Sequence, residues 1–304
     1  MPGLSNIISI QSSRVIIGGG SSYEPEVLAY IAAGSITDQT EIDAVEQFVL
    51  DLKGLGSTTN NTDVFSDMVA LYITSPTSLD SSEVNLKTGL QTGTFYNPIH
   101  TSIGMYANGT TSYFDYGFNL YEAFYPIDIY NYGITAVTSR NFVKNNFTAG
   151  YITKNYTGDG GASTTGMQWQ TSNRRLGVVN SSSSSTYAGS TADDIHTFVT
   201  RGQTEMVFRV SNGETASQVF NQTISTIQAL LPPGRGVFGN NFIGQASWYY
   251  TANSGYINQY GESWGNLWSI HKGLSDNQIV DFHAAIAKLN NNIVTGGRRL
   301  PQII

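Results

Sequence analysis

The sequence predicts a mainly β protein, a sandwich or jelly roll of antiparallel strands with short helices before it and a longer helix after it. Three observations lead there. Charged residues make up 12% of the 304-residue chain, against about 25% in an average soluble protein, and 32 Gly, 18 Tyr and many Ser, Thr and Asn stand in their place. Short strands and frequent turns use those residue types. From about residue 63 to residue 270, short aromatic and β-branched runs alternate with Gly-, Asn- and Ser-rich clusters, the spacing of a sandwich or jelly roll. Capped helical patterns stand at residues 25–53 and 275–293.

The elements follow in order. The opening residues hold two short apolar pieces, "IISI" and "RVII", and then "GGG". Residues 1–20 read as an extended arm that anchors the chain, or else as an edge strand of the main domain, residues 21–299. In "EPEVLAYIAAG", Pro25 suits a first helical position and Gly34 a stop. Asp38 and Glu41 fit a capping box before a second helix. Ile42, Val45, Phe48, Val49 and Leu52 fall on one face of that helix, a stripe expected to face the core. Lys53 lies at the negative end of its dipole, and Gly54 or Gly56 ends it.

Strand-like runs come next, among them "MVALYIT", "TSYFDYGFNLY", "IDIYNYGITAVTS", "TFVTRG", "EMVFRVS" and "GVFGNNFIGQASWYY". "NSSSSST" at 180–186 reads as a solvated loop, and "TASQVFNQTISTIQALL" as strand, loop and strand, with a helix as the weaker alternative. In "GLSDNQIVDFHAAIAKLNNNI", Ser275 and Gln278 make a capping box and Asp276 adds charge to the first turn. Ile279, Phe282, Ile286, Leu289 and Ile293 repeat at helical steps, with Asp281, His283, Lys288 and Asn290 expected away from the stripe. Such a stripe holds a helix only when it is buried. The sandwich's outer face and the helix at 39–53 are the surfaces available.

Composition excludes several functions. The net charge is −7 and no Lys/Arg-rich stretch appears, so no groove tracks nucleic-acid phosphates. With zero Cys there are no disulfides, thiol catalysis or thiolate zinc sites. No apolar run approaches about 18 residues, so no membrane span is expected. The first residues lack a signal-peptide pattern. The sequons at Asn60, Asn108, Asn146, Asn155, Asn180 and Asn221 then read as by-products of composition.

Catalytic patterns are also missing. Jelly-roll glycanases need paired carboxylates facing one cleft from a strand, and the one E-x-D-x-x-E string, Glu41 to Glu46, falls inside the segment that reads as the second helix. Asp193 and Asp194 are adjacent and read as a turn or a solvated face; Glu24 and Glu26 flank a helix start. Glu262, in "YGESWGNLW", reads as a polar rim residue rather than a general acid. His100, His196, His271 and His283 are not spaced as a metal pair, and His271 reads as a local hydrogen-bonding residue. "GDGG" at 158–161 reads as a turn, with calcium held by Asp159 as the weaker alternative and no other cofactor expected. The chain is therefore expected not to be an enzyme. For binding, "ASWYYTANSGYINQYGESW" gathers Trp248, Tyr249, Tyr250, Tyr256, Asn258, Tyr260 and Trp264. These are the residue types of a sugar site. Three readings stand in order: hairpin or core packing, a contact with neighbouring subunits, and a glycan site.

Four segments carry a family resemblance. "LAYIAAGSITDQTEIDAVEQFVLDLKGLG", "FSDMVALYITSPTSLDSSEVNLKTG", "PIHTSIGMYANGTTSYFDYGFN" and "LWSIHKGLSDNQIVDFHAAIAKLNNNIVTGGR", with "NNFIGQA" before the last, occur in this order. Together they resemble a family of bacteriophage virion proteins with a concanavalin A-like jelly roll. The likeness spans about residues 25–299. The aromatic stretch before Trp264 and the serine loop are longer than the family pattern, which puts any inherited binding site in doubt. The resemblance implies a non-enzymatic structural protein of the virion, a capsid decoration, head fibre or tail-fibre part. It implies an oligomer that contacts other virion proteins and, by its lectin-like fold, host surface glycans. The rival expectation is a glycan-binding or depolymerising tail protein. Attachment would use the arm, the tail ending in residues 300–304, or both.

Overall fold

The computed structural model describes residues 22–108, 130–139 and 262–294 continuously, with Val15–Ile16 and further strands between residues 113 and 260. Eight strands form the main sheet: β1 (Met68–Ile73), β2 (Ile99–Thr101), β3 (Gly104–Asn108), β4 (Tyr132–Ser139), β5 (Asp193–Arg201), β6 (Glu205–Ser211), β7 (Gln218–Thr223) and β8 (Glu262–Lys272). Their order is β7-β6-β5-β4-β8-β3-β2, with β1 also on β8, and the pairings are antiparallel. At 11 residues, β8 is long enough to hold β4 along one edge and two partners along the other. Leu267 and Ser269 pair with Ile73 and Leu71 of β1, while Glu262 and Gly265 pair with Asn108 and Met105 of β3.

Both faces of this sheet are covered. That is why "MVALYI" reads as a continuous apolar run where a half-exposed strand would alternate. Leu71, Ile73, Val137, Ile195, Val199 and Leu267 join a core with the helices. Tyr72, Ile134, Ala136, Phe198, Trp268 and Ile270 are buried on the other face. There Phe114 stacks on Phe95 at 4.2 Å between ring centres, and meets Tyr72 at 4.9 Å and Trp268 at 5.5 Å. Phe95 and Phe114 face each other across a small strand pair, Thr94–Tyr96 with Tyr113–Asp115.

Helix α1 (Pro25–Gly34) starts with Pro25, as expected, but runs through Gly34. Ser35, at φ 53°, takes the left-handed capping position. Gly34 serves proximity instead: a Cβ there would stand 2.1 Å from Ser81 Oγ. Helix α2 (Gln39–Leu52) is capped by Asp38, which accepts from the Thr40 amide. The expected reciprocal bond from Glu41 is replaced by a structural task. Glu41 is buried and accepts hydroxyl hydrogen bonds from Tyr30, Ser75 and Thr77, tying α1 and the chain after β1 to α2. The predicted stripe of α2 is buried throughout. Lys53 closes α2 and reaches back to Glu24 at 2.7 Å and Glu26 at 2.9 Å.

The "NLK" segment also has a physical reading. Asn85 accepts from the Leu71 and Lys87 amides, Leu86 enters the core, and Lys87 donates to the Phe65 carbonyl. Helix α3 (Asp276–Asn292) has the predicted capping box, Ser275 with Gln278. Ile279, Phe282, Ile286, Leu289 and Ile293 lie in the core and pack on α2 and the sheet. One expectation fails here: Asp281, His283 and Asn290 are buried too. With α2 on one flank and the sheet beneath, α3 is enclosed on more than its apolar stripe, so those polar positions meet protein and not water.

The remaining strands form separate sheets. Asn146–Lys154, Ala162–Trp169, Arg174–Gly177 and Ser184–Tyr187 pair in that order. The end of the serine stretch is therefore a paired strand, where composition predicted a loop, because hydrogen bonding in the ladder does not depend on an apolar side chain. Val15–Ile16 pairs with Ser22–Tyr23. The rest of the expected arm, Asp159 and residues 295–304 lie outside the described residues, as does the second strand expected after Thr223.

Candidate functional site

Six of the seven predicted binding residues come together. Trp248, Tyr249 and Tyr250 lie on Ser247–Ala252, and Tyr256, Asn258 and Tyr260 on Gly255–Tyr260. These strands form an antiparallel hairpin that sets Tyr249 opposite Asn258 and Trp248 opposite Gln259. Trp264 is on β8 instead, paired with Tyr106 of β3 and Ser139 of β4. The side chains of all seven, and of Glu262, lie outside the described residues. Asp193 and Asp194 begin β5 rather than a turn, and their side chains lie outside the described residues.

A buried polar row among the described residues is one the sequence reading missed. Five side chains run across the sheet beneath α3. Ser211 Oγ of β6 meets His283 Nδ1 at 2.6 Å; His283 Nε2 meets Thr197 Oγ1 of β5 at 2.8 Å. Thr197 Oγ1 meets Thr135 Oγ1 of β4 at 2.7 Å, and Thr135 Oγ1 meets His271 Nε2 of β8 at 3.0 Å. His271 Nδ1 ends the row 2.8 Å from the Lys272 carbonyl oxygen. Pairing places the strand members in line, since Thr135 is opposite both Thr197 and Ser269. Gly133 makes room for the His271 ring, since a Cβ there would stand 2.2 Å from its Cε1.

One end of this row fixes every hydrogen in it. A carbonyl only accepts, so His271 Nδ1 carries the proton and Nε2 accepts from Thr135. Thr135 then accepts from Thr197, Thr197 accepts from His283 Nε2–H, and Ser211 donates to His283 Nδ1. Both rings are neutral, each as a single tautomer. Burial pushes His271 down to about 4 despite its bond to the Lys272 carbonyl. Burial, with the Arg209 and His271 charges adding to it, pushes His283 down to about 3. Hydrogen bonds aligned head to tail strengthen one another.

Other buried or half-buried ionisable groups are also committed. Asp281 accepts from the amides and side chains of Asn60 and Thr62. Burial raises its pKa, but those bonds outweigh burial and hold it below the ordinary value. Asp51 takes Lys288 at 3.1 Å, together with Gln47 and the Ser57 amide. His100 Nε2 lies 2.7 Å from the Ser75 carbonyl oxygen.

The opposite sheet face holds a different set. Asn266 Oδ1 and Nδ2, Trp268 Nε1 and Thr74 Oγ1 are buried without a hydrogen-bond partner among the described residues. Asn266 and Trp268 are alternate residues of β8, and the Ile73–Leu267 pairing puts Thr74 beside Asn266. Buried polar groups of this kind are ordinarily met by ordered water.

Fold and site together define a mainly β protein whose antiparallel sheet carries a helical layer on one face. No family model matches the chain, and no curated protein does. Among solved structures it is similar to a Trypanosoma rangeli sialidase in complex with 2,3-difluorosialic acid, at 11% identity and a TM-score of 0.49. That match covers 82% of this chain and 39% of the sialidase, so the chain spans about two fifths of the enzyme's length. Domain 4 of an extracellular arabinanase from Geobacillus stearothermophilus, in complex with arabinotriose, matches at 13% identity and a TM-score of 0.43, covering 71% of this chain and 98% of the domain. The CBM40 of a Ruminococcus gnavus IT-sialidase, bound to α2,3-sialyllactose, matches at 9% identity and a TM-score of 0.38, covering 62% and 96%.

Proposed function

We propose that the chain is a non-enzymatic structural protein displayed on a bacteriophage particle, built on a concanavalin A-like jelly roll. The observation that carries this reading is the use made of its buried ionisable groups. Glu41, Asp51, Asp281, His271 and His283 each bond to a neighbouring element of the same chain. An acid or base for catalysis needs a free site within reach of a substrate proton; these groups serve to hold the fold. The motif order in the sequence supplies the phage assignment. In this reading the protein assembles with other virion components and with copies of itself.

The test is a map of the intact particle together with a polysaccharide-cleavage assay. The chain is expected on the particle surface, with no release of reducing ends. Cleavage that disappears in Glu262→Gln would overturn the non-enzymatic reading. Deleting residues 1–20 is expected to leave a folded domain that no longer enters particles, and normal incorporation would remove the anchoring role of the arm.

A second reading, glycan binding, is favoured by the hairpin that sets Tyr249 against Asn258. Aromatic faces beside amide hydrogen-bonders suit sugar rings. A glycan array should give a signal that Tyr249→Ala and Asn258→Ala each remove. A signal unchanged in both variants would place binding elsewhere.

A further inference from the structure

The row from Ser211 to His271 has a property that its static geometry does not exhaust. One added proton can be accommodated. Protonating His283 on Nδ1 turns that bond around, and Ser211 accepts where it donated. Protonating His271 on Nε2 makes Thr135 accept from it. Thr135 then donates to Thr197 and Thr197 to His283, whose remaining proton moves to Nδ1 and faces Ser211. A second proton leaves both rings donating inward, to Thr135 and Thr197. These two hydroxyls share one bond, so one hydroxyl hydrogen has no acceptor within the row.

The charged surroundings offer no compensation. The charged neighbours of His283 are Arg209 of β6 and His271 of β8, both unfavourable to a cation. Arg209 donates to the Asp276 carbonyl oxygen. The Asp276 carboxylate is held by Arg201, and Asp281, also on α3, is held by Asn60 and Thr62. From α2, Asp51 is engaged by Lys288. The His271 ring meets the edge of Phe282 at 6.1 Å. Among the described residues no carboxylate bonds to either imidazole.

We propose that this hydrogen-bonded row is an acid-sensitive latch on α3: it seats the closing helix on the sheet while both imidazoles are neutral, and acidification detaches the helix and exposes the apolar surfaces beneath. An unfolded or released histidine takes its proton near pH 6.5, whereas the seated rings titrate at about 4 and about 3. The released state therefore binds more protons between those limits. Stability is full above pH 6.5 and falls as pH drops toward 4.

The experiment uses the full chain. Unfolding equilibria are measured between pH 7 and 4.5 for the wild type and for His283→Gln, which cannot titrate. With two protons taken up on release, the unfolding constant of the wild type is expected to rise about 100-fold per pH unit near pH 5, and that of the variant about tenfold. Equal slopes would overturn the latch. If His283→Gln does not fold, nitrogen NMR of the wild-type imidazoles decides. Both rings are expected to stay neutral to about pH 4.5 while folded, with the proton on Nδ1 of His271 and Nε2 of His283. A ring that titrates near pH 6.5 with α3 amides still protected from exchange would overturn it equally.

Discussion

At the scale of single residues, Asn266 separates cost from use. Its carboxamide is buried with neither atom bonded, and a group left in that state costs about 1–3 kcal/mol. Asn266→Leu keeps the branched shape and removes the polar atoms, so chemical denaturation should show a gain of about 1 kcal/mol. A comparable loss would mean that the amide is bonded in solution. Glu41 gives the opposite expectation. Glu41→Gln turns an acceptor oxygen into a donor facing Ser75, Tyr30 or Thr77. It should lose about 2 kcal/mol in the same assay, whereas an unchanged midpoint would show that the hydroxyls rearrange freely. Residue roles were the least legible part of the sequence. Asp281, His283 and Asn290 were placed away from the stripe because polar side chains favour water. What reversed this was the partner surface: Thr197 and Ser211 on one side of α3, Asn60 and Thr62 on the other. Those partners are distant in sequence, and no local pattern announces them.

Whole elements were easier to read, because their signals are local. The capping box of α3, the stripe of α2 and the proline start of α1 are each written within about a turn or two of helix. Failures came where a cap competed with a tertiary partner. Glu41 was expected to cap α2 but bonds three hydroxyls from other segments, and Gly34 was expected to stop α1 but admits Ser81. Gly34→Ala should therefore destabilise the fold by about 2 kcal/mol or more, and Ser81→Gly alone should not restore it, because Ser78 closes on the same position. A loss no larger than ordinary helix-propensity changes would contradict the close approach. In α3, Phe282 is fully buried beside His271. Phe282→Ala should lose about 3–5 kcal/mol, and Ser275→Ala about 1 kcal/mol through the lost cap. Losses of similar size at the two positions would mean that α3 is held by its end rather than by its face.

For the molecule as a whole, the sequence announced mainly antiparallel β structure with helices at both ends, and the structure has it. Strand order was not legible, since β8 finds β4, β1 and β3 across long stretches of chain. Nor was the polar row beneath α3, which is assembled from four strands and one helix. The aromatic hairpin was legible as a cluster because its aromatics are close in sequence, although Trp264 belongs to another sheet. Holding, as the proposed task, requires that strands and closing helix open as one unit. Native-state hydrogen exchange at neutral pH measures this directly. Amides of Ile279, Phe282 and Ile286 should show the same opening free energy as those of Ile134 in β4 and Ile270 in β8, the value for global unfolding. Helix amides that exchange at loop rates while β4 and β8 remain protected would contradict it.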